Sequence, residues 1–334
     1  MCEVGQAAGG YHHSTVSLAL RNDPAIRASV RERIQRAARK LGYHRDPLLD
    51  AFNRRRHAVL GRRSPHTIAM VGVYASRWEL EVSARERTVW SGAVAEAERL
   101  GCQVEYFPLG PGGMTAQRLD AVLYARGIGG VIFLPFSPKT PPPELTWSRY
   151  CAVKIECGHF QRPEFTIAPA LLQGLGQAFE ALRRRGFRRV GMAMVTDVNP
   201  LRADLVSAGF LLKQQGVPAD EQIPLGVFGG RRTTRQIREW LGRHRPDAVL
   251  AEREIGGVVG EIASRIGLPC ASVQIDAGEL SAGGMGIVVD HARLGAVAIA
   301  QVVALMRTRE RPSTRGTFTT LVPTMWRSDP EEAR

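Results

Sequence analysis

The sequence predicts an α/β protein: a basic, helical head followed by two lobes, each built on a parallel sheet with crossover helices. Three observations predict it. Short β-branched runs alternate with longer helical patterns from Thr67 onward, the alternation starts afresh near Ala152, and +8 of the formal +13 charge lies before Thr67 in a chain of 334 residues. A strand followed by a helix, several times over, implies a parallel sheet, because two parallel strands need a connection long enough to hold a helix.

Each element has its own signal. In the first series TIAMVGVY (67–74), VEYFPL (104–109) and GVIFLPF (130–136) read as strands, with helices over VWSGAVAEAERLG (89–101) and AQRLDAVLYARG (116–127). The second series has strands AVKIE (152–156), RVGMAMV (189–195), IPLGVF (223–228), AVLAE (248–252) and ASVQID (271–276). Its helices run near 171–185, 201–215, 233–244 and 256–266. GIVVDHARLGAVAIAQVVALMRTRE (286–310) reads as a strand and a long amphipathic helix, and TFTTLVPTMWRSD (317–329) as a last strand. Two lobes of similar size follow, with a ligand expected between them, where strand ends and helix N-termini supply polar groups.

The head has a different character. Up to His66 it carries twelve Arg and one Lys against five acidic residues. Clustered guanidinium groups release counterions condensed on nucleic-acid phosphates, so a polyanion is the partner physics favours. Ile26, Val30, Ile34, Ala37 and Leu41 form a modest apolar stripe suited to a small core, without the large anchors a bilayer-surface helix needs. A solvated Arg-rich face is the bland alternative, since 41 of the 45 basic residues in the chain are Arg. Asn53 to His66 (NRRRHAVLGRRSPH) reads as a linker.

Several classes are disfavoured. Cys2, Cys102, Cys151, Cys157 and Cys270 show no CxxC pairing and no zinc-ligand spacing to a His, so neither a disulfide framework nor a metal site is expected. No signal peptide and no membrane-length apolar run is evident, which predicts a cytoplasmic protein. The one Gly-rich candidate for a dinucleotide loop, GLGQAF (174–179), lies within a helical pattern and lacks the third Gly. No nucleophile elbow, His-Glu-x-x-His or Walker loop appears, so catalysis and cofactors are not expected.

Together the motifs resemble the lactose-repressor (LacI/GalR) family of bacterial transcription regulators over nearly the whole chain. The resemblance is carried by STVSLALRNDPAI (14–26), VRERIQRAARKLGY (30–43) with its Leu41-Gly42-Tyr43 ending, RRGFRRVGMAM (184–194), SAGF (207–210), RPDAVLAE (245–252), VQID (273–276), LGAVAIAQVVALM (294–306) and LVPTMW (321–326). It implies a helix-turn-helix head (1–46), a hinge helix and linker (47–65), and a two-lobed core of the periplasmic-binding-protein type I kind. The lobes would comprise 66–157 with 286–316, and 158–285 with 317–330.

The resemblance further implies a homodimer on near-palindromic double-stranded DNA, with a small-molecule effector, a sugar or sugar derivative, as the switch. His13 and Ser14 occupy base-reading positions with Ser17 and Leu18 one turn on, and Thr15 and Ser17 would hold phosphates. Phe52 stands where the family inserts an apolar wedge into the minor groove, with Arg54, Arg55 and Arg56 against the phosphates. Effector contacts map to Ser76, Trp78, Glu156, Arg202, Arg253 and Asp276. Asp276 would accept sugar hydroxyls and Trp78 would stack on a sugar face.

Departures from the family pattern leave a second reading open. The first helix carries Gly5, Gly9 and Gly10, and each interior Gly costs about 1 kcal/mol relative to Ala. His12 and Arg27 stand where the family caps its next two helices with hydroxyl residues. Val206 replaces a frequent Arg, with Arg202 one turn earlier as a substitute, and Arg253 replaces an Asn. The charged cleft fits a ligand with an anionic or amino group, or else its charges pair with one another. A cytoplasmic ligand sensor with a vestigial DNA-binding head is the alternative.

Overall fold

A computed structural model describes residues 2–20, 26–41, 66–136, 140–156, 162–195, 200–278, 280, 284–308 and 317–328. Phe52, Arg54 and Arg55 lie outside these residues, as do the side chains of His13, Ser14 and Ser17.

Among the described residues the head comprises three helices, α1 (Cys2–Ala7), α2 (His13–Leu20) and α3 (Ala28–Lys40). They enclose a small core of Val4, Ala8, Val16, Ala19, Ile34, Ala37 and Ala38, with Ile26 and Val30 packed against it, so four of the five stripe residues turn inward, while Leu41, just past α3, is exposed. Gln35 Nε2 donates to the Ala19 carbonyl at 3.1 Å and satisfies the end of α2. The glycines that weaken α1 have a structural reason. A Cβ on Gly5 would overlap the Tyr11 carbonyl oxygen, so only glycine lets the α1–α2 turn fold back onto the helix, and Gly9 and Gly10 take positive φ in that turn. Arg27 precedes α3 in extended geometry and makes no side-chain cap, as its identity predicts.

The core contains two six-stranded sheets. The first is ordered β11 (Phe318–Val322), β5 (Phe165–Pro169), β4 (Cys151–Ile155), β3 (Gly130–Phe133), β1 (His66–Gly72), β2 (Cys102–Pro108), all parallel. The second is ordered β12 (Thr324–Arg327), β10 (Met285–Val289), β9 (Ala271–Ala277), β8 (Ala248–Glu252), β6 (Val190–Val195), β7 (Gly226–Phe228), parallel except for β12.

Strand periodicity shows how helices cover both faces of each sheet. In β1, Ile68 and Met70 face α5 (Ala84–Arg99) and α11 (His291–Thr308), while Ala69 and Val71 face α6 (Ala116–Ala125). In β8, Ala248 and Leu250 turn toward α7 (Leu171–Arg184) and α8 (Pro200–Gln214), whereas Val249 and Ala251 turn toward α9 (Thr233–His244) and α10 (Arg253–Arg265).

The chain crosses between the sheets at Ala170, Asp290 and Pro323. The crossings are tied together: Ala170 N donates to the Val322 carbonyl at 2.8 Å, and Thr324 Oγ1 donates to the Ala170 carbonyl at 3.4 Å. The tail expected as one strand is therefore two, β11 in the first sheet and β12 in the second, with Pro323 between them supplying no ladder donor. Sheet membership also corrects the expected lobe boundaries. Phe165–Pro169 and Phe318–Val322 belong to the first lobe, and Met285–Val289 to the second.

Candidate functional site: a charged cleft between the lobes

Buried and half-buried charged residues from both lobes gather at the C-terminal ends of the central strands. From the first lobe come Glu156, just beyond β4, and Arg85, in the first turn of α5. From the second come Arg202 on α8, Glu252 ending β8, and Asp276 in β9. His291 begins α11 at the second crossing, where Asp290 caps the helix by accepting from Arg293 N at 2.8 Å.

These groups form one network. Asp276 Oδ1 lies 2.8 Å from His291 Nε2, and its Oδ2 lies 2.9 Å from Arg202 Nη1 and 3.8 Å from Arg85 Nη1. Glu156 accepts a hydrogen bond from Arg85 Nη2 and lies 3.7 Å from Arg202 Nη1. Glu252 Oε2 accepts from Val195 N at 3.0 Å, and its Oε1 lies 3.8 Å from Arg202 Nε. Glu156 and Asp276 have φ of 51° and 60°, in the left-handed region that side chains other than glycine seldom adopt. Strain at both strand ends accompanies carboxylates that meet across the cleft.

Burial raises the Asp276 carboxyl pKa, but Arg85, the hydrogen bond from His291 and Arg202 outweigh it, and the net shift is downward. A carboxyl depressed on folding stabilises the fold above its unfolded pKa of about 4 and loses that contribution as pH falls through the folded value. The stability difference between wild type and Asp276→Asn is therefore expected to be constant above about pH 5 and to shrink below about pH 4. Urea unfolding of both proteins across that range checks it. A difference that grows on acidification contradicts it.

Of the six residues expected to contact the effector, Glu156, Arg202 and Asp276 converge. Arg202 reaches Asp276, while Val206, one turn further on, is fully buried. Ser76 and Trp78 are not among the network's members, and Arg253 borders it. Ser76 caps α4 (Arg77–Val82) by accepting from Glu79 N, and Trp78 on that helix is 74% exposed. Arg253, the first residue of α10, is exposed, its Nη2 lying with the His291 ring around Gly278. Arg85 and His291 had no motif to announce them, and Glu252 was read only as the end of the strand AVLAE. In the head, Thr15 and Leu18 are half-buried on α2.

Comparison with solved structures gives close agreement in shape at low sequence identity. A cellobiose complex of the transcriptional regulator CelR is 20% identical, with a TM-score of 0.60 and coverage of 97% of both chains. The chain has the fold of the LacI-family regulators. The Lac repressor dimer bound to operator and the anti-inducer ONPF is 16% identical at a TM-score of 0.57, covering 97% of this chain and 96% of that one. A LacI-family regulator from Rhizobium etli is 16% identical at 0.61, covering 80% of this chain and 99% of that one. No protein-family model and no curated protein matches the sequence. The LacI-type fold thus runs from the three-helix head to the end of the second sheet, with a core like that of type I periplasmic binding proteins. Among the described residues no helix is long and apolar enough to cross a membrane.

Proposed function

We propose that this chain is a sequence-specific DNA-binding regulator, a transcriptional repressor whose operator affinity is switched by a small molecule bound between the lobes. The carrying observation is the joint presence of a three-helix head with its own core and a charged cluster at the strand ends where two lobes meet. The head acts as one half of a homodimer. α2 enters the major groove with His13, Ser14, Ser17 and Leu18 toward base edges and Thr15 toward phosphate, and Phe52 wedges into the minor groove beside Arg54 and Arg55.

The effector is a sugar or sugar derivative. Glu156, Arg202 and Asp276 supply acceptors and donors for its hydroxyls, and Ser76, Trp78 and Arg253 complete the rim. Binding between the lobes shifts their relative position and so the spacing of the two heads. The packed head core favours this reading over a vestigial head, because Gly5 serves the α1–α2 turn rather than marking decay.

Phe52→Ala tests it. The variant is expected to lose roughly thirtyfold in affinity for a near-palindromic operator, with non-specific duplex binding unchanged, as for a wedge that acts only at the specific site. Equal weakening on both DNAs, or none on either, removes the wedge and the operator-reading arrangement with it.

A further inference from the structure

The cleft charges are arranged as two pairs, each within one lobe, set against each other. Arg85 pairs with Glu156 inside the first lobe, and Arg202 lies 2.9 Å from Asp276 inside the second. The arginine contacts that cross the cleft are longer, Arg85 to Asp276 at 3.8 Å and Arg202 to Glu156 at 3.7 Å, while His291, at the second crossing of the chain between the lobes, lies 2.8 Å from Asp276. All four side chains are largely sheltered, with 21% and 9% exposure for Arg85 and Glu156, and 16% and 6% for Arg202 and Asp276.

We propose that these two pairs form an electrostatic clasp that holds the lobes together without effector, so that the ligand-free protein rests in the closed state. The inference rests on the reading of this cleft as the effector site. Its physics follows from which contacts opening breaks. Each arginine keeps the carboxylate of its own lobe when the lobes part, so no charge is left buried without a counterion, the large penalty of a broken buried pair. Of the arginine contacts only the crossing ones are lost, and at 3.8 and 3.7 Å these lie beyond hydrogen-bonding distance. The clasp is therefore reversible, and an effector acts by replacing the crossing pairs rather than by drawing two empty lobes together.

The test exchanges the charges of one pair. In Arg85→Glu/Glu156→Arg the first lobe keeps an internal ion pair, but a carboxylate at position 85 now faces Asp276 and a guanidinium at position 156 faces Arg202. Dyes at the exposed positions Glu98 in the first lobe and Arg238 in the second report lobe separation by fluorescence transfer in the full-length protein without ligand or DNA. Wild type is expected to be closed at low salt. The exchanged protein shifts about tenfold toward the open state.

Raising potassium chloride from about 20 to about 500 mM opens wild type in the same direction, because salt screens the crossing contacts. Wild type already open at low salt, or a folded exchange variant as closed as wild type, overturns the clasp. Should the exchange variant not fold, the salt series on wild type decides alone: opening with salt supports the clasp, and a salt-independent separation overturns it. The readout involves no DNA, so a failed operator test leaves the clasp standing, and a failed clasp leaves the operator test intact.

Discussion

Alanine at Gly295 is expected to destabilise the first lobe by about 3 kcal/mol, the upper range for overpacking a tight core, and to lower its melting temperature by roughly 8 °C. Gly295 on α11 and Gly92 on α5 sit where these two helices cross backbone to backbone. A Cβ on Gly295 would overlap the Val89 carbonyl oxygen and lie 2.9 Å from Ala93 N, and one on Gly92 would overlap the Ala292 backbone. Neither obstacle is a flexible side-chain end, so the helices must separate, and α11 also packs on β3, β4 and β5. Gly257→Ala on α10 is the control, since its Cβ meets nothing and alanine gains about 1 kcal/mol of helix propensity. Thermal unfolding of the three proteins checks the order. Equal melting temperatures for Gly295→Ala and wild type contradict the crossing.

Asp276→Ala is expected to cost about 3 kcal/mol in stability and to abolish the effector response at any operator the protein binds. The substitution removes the one carboxylate that His291, Arg202 and Arg85 share, leaving Arg202 with its more distant contacts to Glu156 and Glu252. Most of the cost is the penalty of guanidinium groups left poorly paired in a sheltered site. Asp276→Asn keeps the shape and a hydrogen-bond acceptor, and falls between wild type and alanine. Chemical denaturation with operator titration distinguishes the two effects. An alanine variant as stable as wild type places the pair in solvent and contradicts its burial.

How far the sequence reached depended on the kind of information asked of it. Local periodicity located Thr233–His244 and Ala248–Glu252 to the residue, because the apolar face of Ile237, Trp240 and Leu241 and the buried run of β8 are each uninterrupted. β5 escaped because five residues ending in Pro169 give too short a pattern, and α4 escaped because its six residues make fewer than two helical turns. The fate of the tail turned on Pro323, which reads as a flaw in one strand and is in fact the passage between two sheets. Lobe boundaries failed for a related reason. Nothing in Phe165–Pro169 or Met285–Val289 says which sheet will hold it; β5 joins β4 and β11, and β10 joins β9 and β12, only through long-range pairing.

The site was half legible on the same terms. Glu156, Arg202 and Asp276 lie on motifs or at strand ends, where the fold class itself directs polar groups. Arg85 and His291 join them through tertiary packing, one from a helix start and one from a crossing. Glu252, the last residue of β8, is buried, whereas its neighbour Arg253 opens α10 and is exposed. Trp78, proposed for the rim, stands on α4 and is largely exposed.

Selection of bound fragments from a genomic library by the full-length protein, followed by affinity against salt for the enriched site, tests the central claim most directly. A steep fall of affinity with salt and an enriched near-palindrome of two half-sites are the predicted result, as for paired heads that read bases while neutralising phosphates. A flat salt response with no enriched sequence would contradict the account and leave a sensor whose head no longer grips DNA.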